Sequence, residues 1–172
     1  IAGYVLNMNN QLIYLDNSAT TRMDEEVKKE FDKYCLDCYG NPGSFHTEGL
    51  KAKQAVGDAR ERIAAILNCK SSEVVFTSGG TESINLAIKG LAYASNGKRK
   101  QIITTKIEHH AVMHTCEFLE KKGFDVVYLD VDEYGMINIE DLKKNISEET
   151  LLVSIMYANN EIGTIEPIAE IG

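Results

Sequence analysis

The sequence predicts an α/β fold, with a mainly parallel sheet covered by helices on both faces. Two observations carry that prediction. From residue 73 onward, short apolar runs alternate with segments of helical periodicity. Those runs are near-continuously apolar instead of alternating with polar residues, which is the pattern of strands buried on both sides. A chain of 172 residues is long enough to enclose one sizeable core.

Taken in order, residues 1 to 14 read as an extended N-terminal arm, too short to form a domain. Asp24 to Cys38 places Val27, Phe31, Tyr34, Cys35 and Cys38 on one helical stripe. Asn41-Pro42-Gly43 is a turn, and Ala52 to Leu67 repeats the helical pattern through Ala55, Val56, Ala59, Ile63 and Ile66. Glu73 to Thr77 (EVVFT) is expected to be a buried strand. The helix Glu82 to Ser95 follows, with Ile84, Ala87, Ile88 and Leu91 facing inward. Gln101 to Thr105 is the next strand, and His110 to Lys122 a helix carrying Val112, Cys116 and Leu119. Phe124 to Val131 and Leu151 to Tyr157 are further strands, separated by a short helix marked by Ile139, Leu142 and Ile146. Ile168 to Gly172 reads as the first turn of a helix entered through Pro167. One turn cannot satisfy its own carbonyls, so the chain is expected to be a piece of a longer protein.

Charge and composition exclude several classes. The formal net charge is −8 and both signs are interspersed, whereas a nucleic-acid surface needs a clustered basic face. Lys98-Arg99-Lys100 is a short solvated loop. No apolar run approaches the roughly 20 residues that span a bilayer. No basic leader precedes an apolar stretch at the N-terminus, and the missing initiator Met implies processing or trimming. Four cysteines without framework spacing suit a reducing, cytoplasmic setting.

Polar clusters fall where α/β proteins bind ligands, at the carboxyl ends of strands. Ser78-Gly79-Gly80-Thr81 lies between a strand and a helix. Glycines there let the backbone approach an anion, and helix-start amides favour negative charge. The other reading is an ordinary cap by Thr81, and Glu82 would compete with a phosphate unless it points away. The pattern matches neither the dinucleotide fingerprint nor the P-loop. In Glu108-His109-His110 an imidazole could lie on a heteroaromatic ring or move a proton. His110 and His114 share a helix face without a third ligand, so no metal is expected. Tyr157 to Gly163 offers two amides and a carboxylate, or simply a polar turn. Cys35 and Cys38 have CxxC spacing but no second pair, and burial on their helix stripe is the expectation. Lys106 lies past a strand end, with nothing beside it to lower its pKa.

Five segments together resemble the cysteine desulfurases of the NifS/IscS type. They are Tyr14-Leu15-Asp16-Asn17-Ser18-Ala19-Thr20-Thr21, Gly40-Asn41-Pro42-Gly43-Ser44-Phe45-His46, Phe76-Thr77-Ser78-Gly79-Gly80-Thr81-Glu82-Ser83, Glu108-His109-His110-Ala111-Val112 and Asn159-Asn160-Glu161-Ile162-Gly163-Thr164. The resemblance implies that residues 15 to 172 are the N-terminal part of the cofactor-binding large domain of a fold-type-I enzyme of the class V aminotransferase group, with pyridoxal 5'-phosphate (PLP) as cofactor. It implies that Gly80 and Thr81 bind the cofactor phosphate and that His109 stacks on the pyridine ring and assists proton transfer. Asn160 would hydrogen-bond near the ring's phenolic oxygen.

For the complete enzyme the resemblance implies conversion of L-cysteine to L-alanine, a transferase reaction. The sulfur passes to an enzyme cysteine as a persulfide. It further implies a homodimer and sulfur-acceptor proteins such as an iron–sulfur assembly scaffold. The family's cofactor lysine follows a histidine, and no His-Lys pair occurs in these 172 residues. None of Cys35, Cys38, Cys69 or Cys116 stands in the motif of the nucleophilic cysteine. The polypeptide on its own is therefore expected to be inactive, with PLP binding weak or absent because no lysine anchors the cofactor. Alternatives are a selenocysteine lyase or another class V aminotransferase, or a non-catalytic module that binds a partner or dimerises.

Overall fold

A computed structural model describes residues 5–8 and 11–172, and side chains from residue 13 onward. The chain divides into two compact units, residues 1–76 and 77–172.

In the first unit, strands β1 (Val5–Met8) and β2 (Gln11–Tyr14) pair antiparallel, Val5 opposite Tyr14 and Met8 opposite Gln11. The expected arm is thus a two-stranded ribbon; its residues 1–4, 9 and 10 lie outside the described residues. Helix α1 (Glu25–Leu36) starts at Asp24, whose carboxylate accepts from the Glu26 amide at 2.8 Å. Helix α2 (Thr47–Leu67) starts at His46, whose Nδ1 accepts from the Gly49 amide at 3.3 Å, and ends in the left-handed residue Asn68.

The segment before α2 is glycine-dependent through close packing. A Cβ on Gly40 would stand 2.3 Å from the Glu48 carbonyl oxygen, and one on Gly49 would stand 2.4 Å from that of Ser44. The apolar stripe of α1 is present but uncovered: Val27 is 57% exposed and Phe31 55%. Cys35 is exposed and Cys38 half-buried, against the expected burial, because this face of α1 has no apolar layer over it. On α2 it is Ala52 and Ala64 that are buried, while Val56, Ile63 and Ile66 are exposed. Arg60 lies over the Phe76 ring, 5.0 Å from its centre.

The EVVFT segment differs most from expectation. A 3-10 turn covers Ser71–Glu73, and Val74 leaves it in extended conformation at φ −90° and ψ 122°. Residues 74–77 join no ladder, and Val75 and Phe76 are exposed. A strand needs a hydrogen-bonded neighbour, and neither described sheet supplies one.

The second unit is a three-stranded parallel sheet in the order β4-β3-β5, formed by β3 (Gln101–Thr105), β4 (Asp125–Leu129) and β5 (Thr150–Val153). Ile102 and Ile103 of the central strand point to opposite faces, and both are fully buried. On one face Ile102 packs with Ile88 and Ala92 of α3 (Gly80–Ala94) and with Val112, Cys116 and Leu119 of α4 (His110–Glu120). On the other, Ile103 packs with Leu129 of β4, with Ile137, and with Leu142 of α5 (Ile139–Asn145), with Ile171 of α6 (Ile168–Ile171) beside them. The expected two-sided cover is present.

Two details of the second unit differ from the sequence expectation. Ala87 and Leu91 are exposed, and the inward ridge of α3 is Ile84, Ile88 and Ala92, spaced by four. The strand at 150 leaves its ladder after Val153, where the Ser154 amide makes a last bond to the Ile103 carbonyl at 2.8 Å.

Candidate functional site

Helix α3 begins at the carboxyl edge of the sheet. Its last residue precedes β3 by a short loop, so a helix packed along the sheet must run antiparallel to β3. The first helical bond runs from the Ser83 amide to the Gly79 carbonyl at 3.1 Å. The amides of Gly80, Thr81 and Glu82 therefore precede the ladder and face outward along the axis.

Gly79 is the N-cap, with extended backbone and no side-chain cap; Thr81 is not the cap. A Cβ on Gly79 or Gly80 would meet nothing within 4 Å, so open space adjoins the turn. Glu82 folds back: its Oε2 accepts from the Ser78 amide at 2.7 Å and from the Ser78 hydroxyl at 2.6 Å. The Ser78 hydroxyl, followed by its amide, holds the Glu82 carboxyl below the usual carboxylate range. The charge that would compete with an anion is thereby tied to Ser78.

His109 is the N-cap of α4, at the end of the loop that leaves β3. Its Nδ1 accepts from the Ala111 amide at 3.1 Å, so the neutral ring carries its proton on Nε2. Glu108 turns the other way, and its Oε1 accepts from the Met156 amide at 2.6 Å, in the loop that leaves β5. Burial pushes the Glu108 carboxyl up; the bonds from the Met156 and His109 amides oppose the rise and the nearby Glu166 carboxylate adds to it.

The Asn159–Asn160 pair divides its duties. Asn159 is buried and all of its side chain is engaged. Its Nδ2 donates to the Ile107 carbonyl at 2.9 Å and contacts Met156 Sδ at 3.3 Å. Its Oδ1 accepts from the amides of Glu161 at 2.8 Å and Ile162 at 3.1 Å. Asn160 is exposed on the same turn, its Nδ2 3.4 Å from Glu161 Oε1. Farther along, the Thr164 hydroxyl bonds the Tyr134 carbonyl, and the 1% exposed Glu166 accepts from the Ile137 amide at 3.2 Å.

The fold thus brings His109 and Asn160 onto two hydrogen-bonded loops at neighbouring strand ends. Gly80 and Thr81 stand at the start of the helix that packs beside α4. The importance of Glu108 and Asn159 was not readable from the sequence, because their partners lie 48 and 52 residues away. Lys106 is committed to Asp130 at 2.5 Å. His110 and His114 stack with ring centres 5.5 Å apart, and among the described residues no three metal-ligating side chains gather.

Known proteins share both the sequence and this architecture. The family model described as aminotransferase class-V matches residues 13–172. A relative named cysteine desulfurase IscS, from Clostridium botulinum (strain Hall), is 55% identical over 163 residues, covering 95% of this chain and 41% of the relative. A solved structure of a NIFS-like protein superposes with a TM-score of 0.86 at 45% identity, over 90% of this chain and 43% of that one. Another, of SspA in complex with cysteine, gives a TM-score of 0.83 at 42% identity, over 90% and 44% respectively. The chain spans about 40% of the length of the relatives it matches.

Proposed function

The chain belongs to the class-V aminotransferase family, and from that premise we propose that it is the phosphate- and ring-binding portion of a PLP-dependent cysteine desulfurase. The observation that carries this reading is the open glycine turn at the head of α3, on the sheet edge where the His109 and Asn160 loops meet. The residues fit the group: unladdered amides and a vacant Cβ space suit a phosphate, and a ring nitrogen donor and an exposed amide suit a polar heterocycle.

In this reading the Gly80 and Thr81 amides, with the Thr81 hydroxyl, bind the cofactor phosphate. His109 would pack on the pyridine ring, with the proton at its Nε2 available to a reacting atom. Asn160 would donate toward the ring's phenolic oxygen. When bound, PLP supplies an electron sink for bond cleavage at the substrate carbon. The substrate is L-cysteine, in keeping with the cysteine held by the similar SspA structure, and the sulfur leaves through an enzyme cysteine to an acceptor protein in the cytoplasm.

The 172 residues hold no His-Lys pair, so the polypeptide by itself turns over no cysteine. Titration with PLP, followed by absorbance, tests the grip: saturable binding weakened by free phosphate supports it, and binding no tighter for PLP than for pyridoxal overturns it. Sulfide and alanine release above that of free PLP would refute the predicted inactivity. The uncovered stripe of Val27, Phe31 and Tyr34 on α1 favours a second role in dimer formation, which sedimentation of the chain decides.

A further inference from the structure

Among the described residues, the loop leaving β3 and the loop leaving β5 are joined by a pair of hydrogen bonds outside the sheet ladder. The Met156 amide donates to Glu108 Oε1 at 2.6 Å, and Asn159 Nδ2 donates to the Ile107 carbonyl at 2.9 Å. They run in opposite senses. Glu108 reaches from the first loop to the second, and Asn159 reaches back. The residues directly following Glu108 and Asn159 are His109 and Asn160, the two assigned to the ring in the proposed function. We propose that Glu108 and Asn159 are positioning residues, a reciprocal brace that fixes His109 and Asn160 relative to each other; the ligand part of this inference rests on the proposed PLP-binding function.

Three features make the brace specific. Asn159 spends both ends of its amide: Oδ1 shapes its own turn through Glu161 and Ile162, and Nδ2 alone crosses to Ile107. An aspartate there keeps the acceptor and loses the crossing donor. Glu108 serves as acceptor only, so a glutamine there keeps the bond to Met156 without a charge. The second loop is also held from its far side, by Thr164 on the Tyr134 carbonyl and by Glu166 on the Ile137 amide. The first loop has its own anchor in the His109 cap of α4, so removing the brace leaves both loops attached and changes how they are set relative to each other.

These features define a test on the 172-residue chain. NMR resonances of the His109 ring and of the Asn160 side-chain amide are recorded for Asn159→Asp, Glu108→Ala and Glu108→Gln, alongside thermal melts. The expected result is that Asn159→Asp and Glu108→Ala both shift the His109 and Asn160 signals, while Glu108→Gln restores them. In the same variants PLP affinity is expected to fall about tenfold, with Glu108→Gln close to the parent.

Melting temperatures that fall while the His109 and Asn160 signals stay fixed would overturn the brace and leave a merely structural bond. Glu108→Gln behaving like Glu108→Ala would do the same. Failure of the parent chain to bind PLP would count against the functional reading alone, since the resonances report the brace without any ligand.

Discussion

Gly80→Ala separates stability from binding in a single substitution. At Gly80 the φ angle is not positive, and a Cβ would meet nothing within 4 Å, so a methyl group fits without displacement. Alanine lowers the conformational entropy of the unfolded chain and favours the helix, for a gain of about 0.4–1 kcal/mol where the backbone is compatible. For a chain of this size that is a rise in melting temperature of about 1–4 °C. The same methyl group stands in the space where an anion would meet the Gly80, Thr81 and Glu82 amides. Loss of one hydrogen bond to a charged group, about 1.5–3 kcal/mol, lowers PLP affinity by at least about tenfold. The assay is a pair of thermal melts, with and without saturating PLP, with pyridoxal as the phosphate-free control. A variant that melts higher yet gains less from PLP fits the reasoning. One that melts lower shows that the space is not open, and one that keeps its affinity shows that phosphate does not lie on these amides.

Three further outcomes follow from side chains already placed. Burial pushes the Cys116 thiol up to about 11, so iodoacetamide at pH 8 should label exposed Cys35 and Cys69 in the native chain while Cys116 reacts only on unfolding, as peptide mass mapping would reveal. Gly135→Ala should destabilise by at least about 1 kcal/mol, because φ is +82° and its Cβ would stand 2.4 Å from Ile162 Cδ1; urea melts measure it, and a neutral result would contradict the packing of that turn. Burial raises the Glu108 pKa, so the folded state holds that proton more tightly than the unfolded chain does. The resulting stabilisation is full below the ordinary glutamate value and is lost as pH rises through the raised one. Parent and Glu108→Gln stability should accordingly diverge as pH rises over that window, in favour of the glutamine, and parallel curves would refute the assignment.

Much of the second unit was legible in the sequence because its information is local. Ile102 and Ile103, buried on opposite faces, sit in a short apolar run of the kind that strands covered on both faces show. The helix caps at His46 and His109 were harder, since histidine is an uncommon cap and each is recognised only by the amide it meets. EVVFT reads as a strand from composition, yet a strand is a relation between two segments, and the second is not encoded in the first. The stripes of α1 likewise announce an apolar face without saying what covers it.

At the candidate site, the strand-end clusters were visible from their position after apolar runs. Asn159 and Asn160 could not be told apart, because which amide turns inward depends on the backbone of a turn whose anchor is Ile107, far away in the chain. The same distance concealed Glu108. Resemblance pointed to Asn160, and only geometry exposed its neighbour.

The strand order β4-β3-β5 also carries a timetable. During synthesis β3, α4 and β4 leave the ribosome as a contiguous unit and can pair as soon as they emerge. The strand for the other edge starts at residue 150, about twenty residues after Leu129. At about 5–20 residues per second the ribosome takes roughly 1–4 s to deliver it. For that interval one margin of the central strand has no neighbour, and a nascent chain there is open to capture by chaperones or by its own copies. His109 is translated early, but its tie to the second loop waits for residues 156 to 159, so the two halves of the site meet only after β5 has been made.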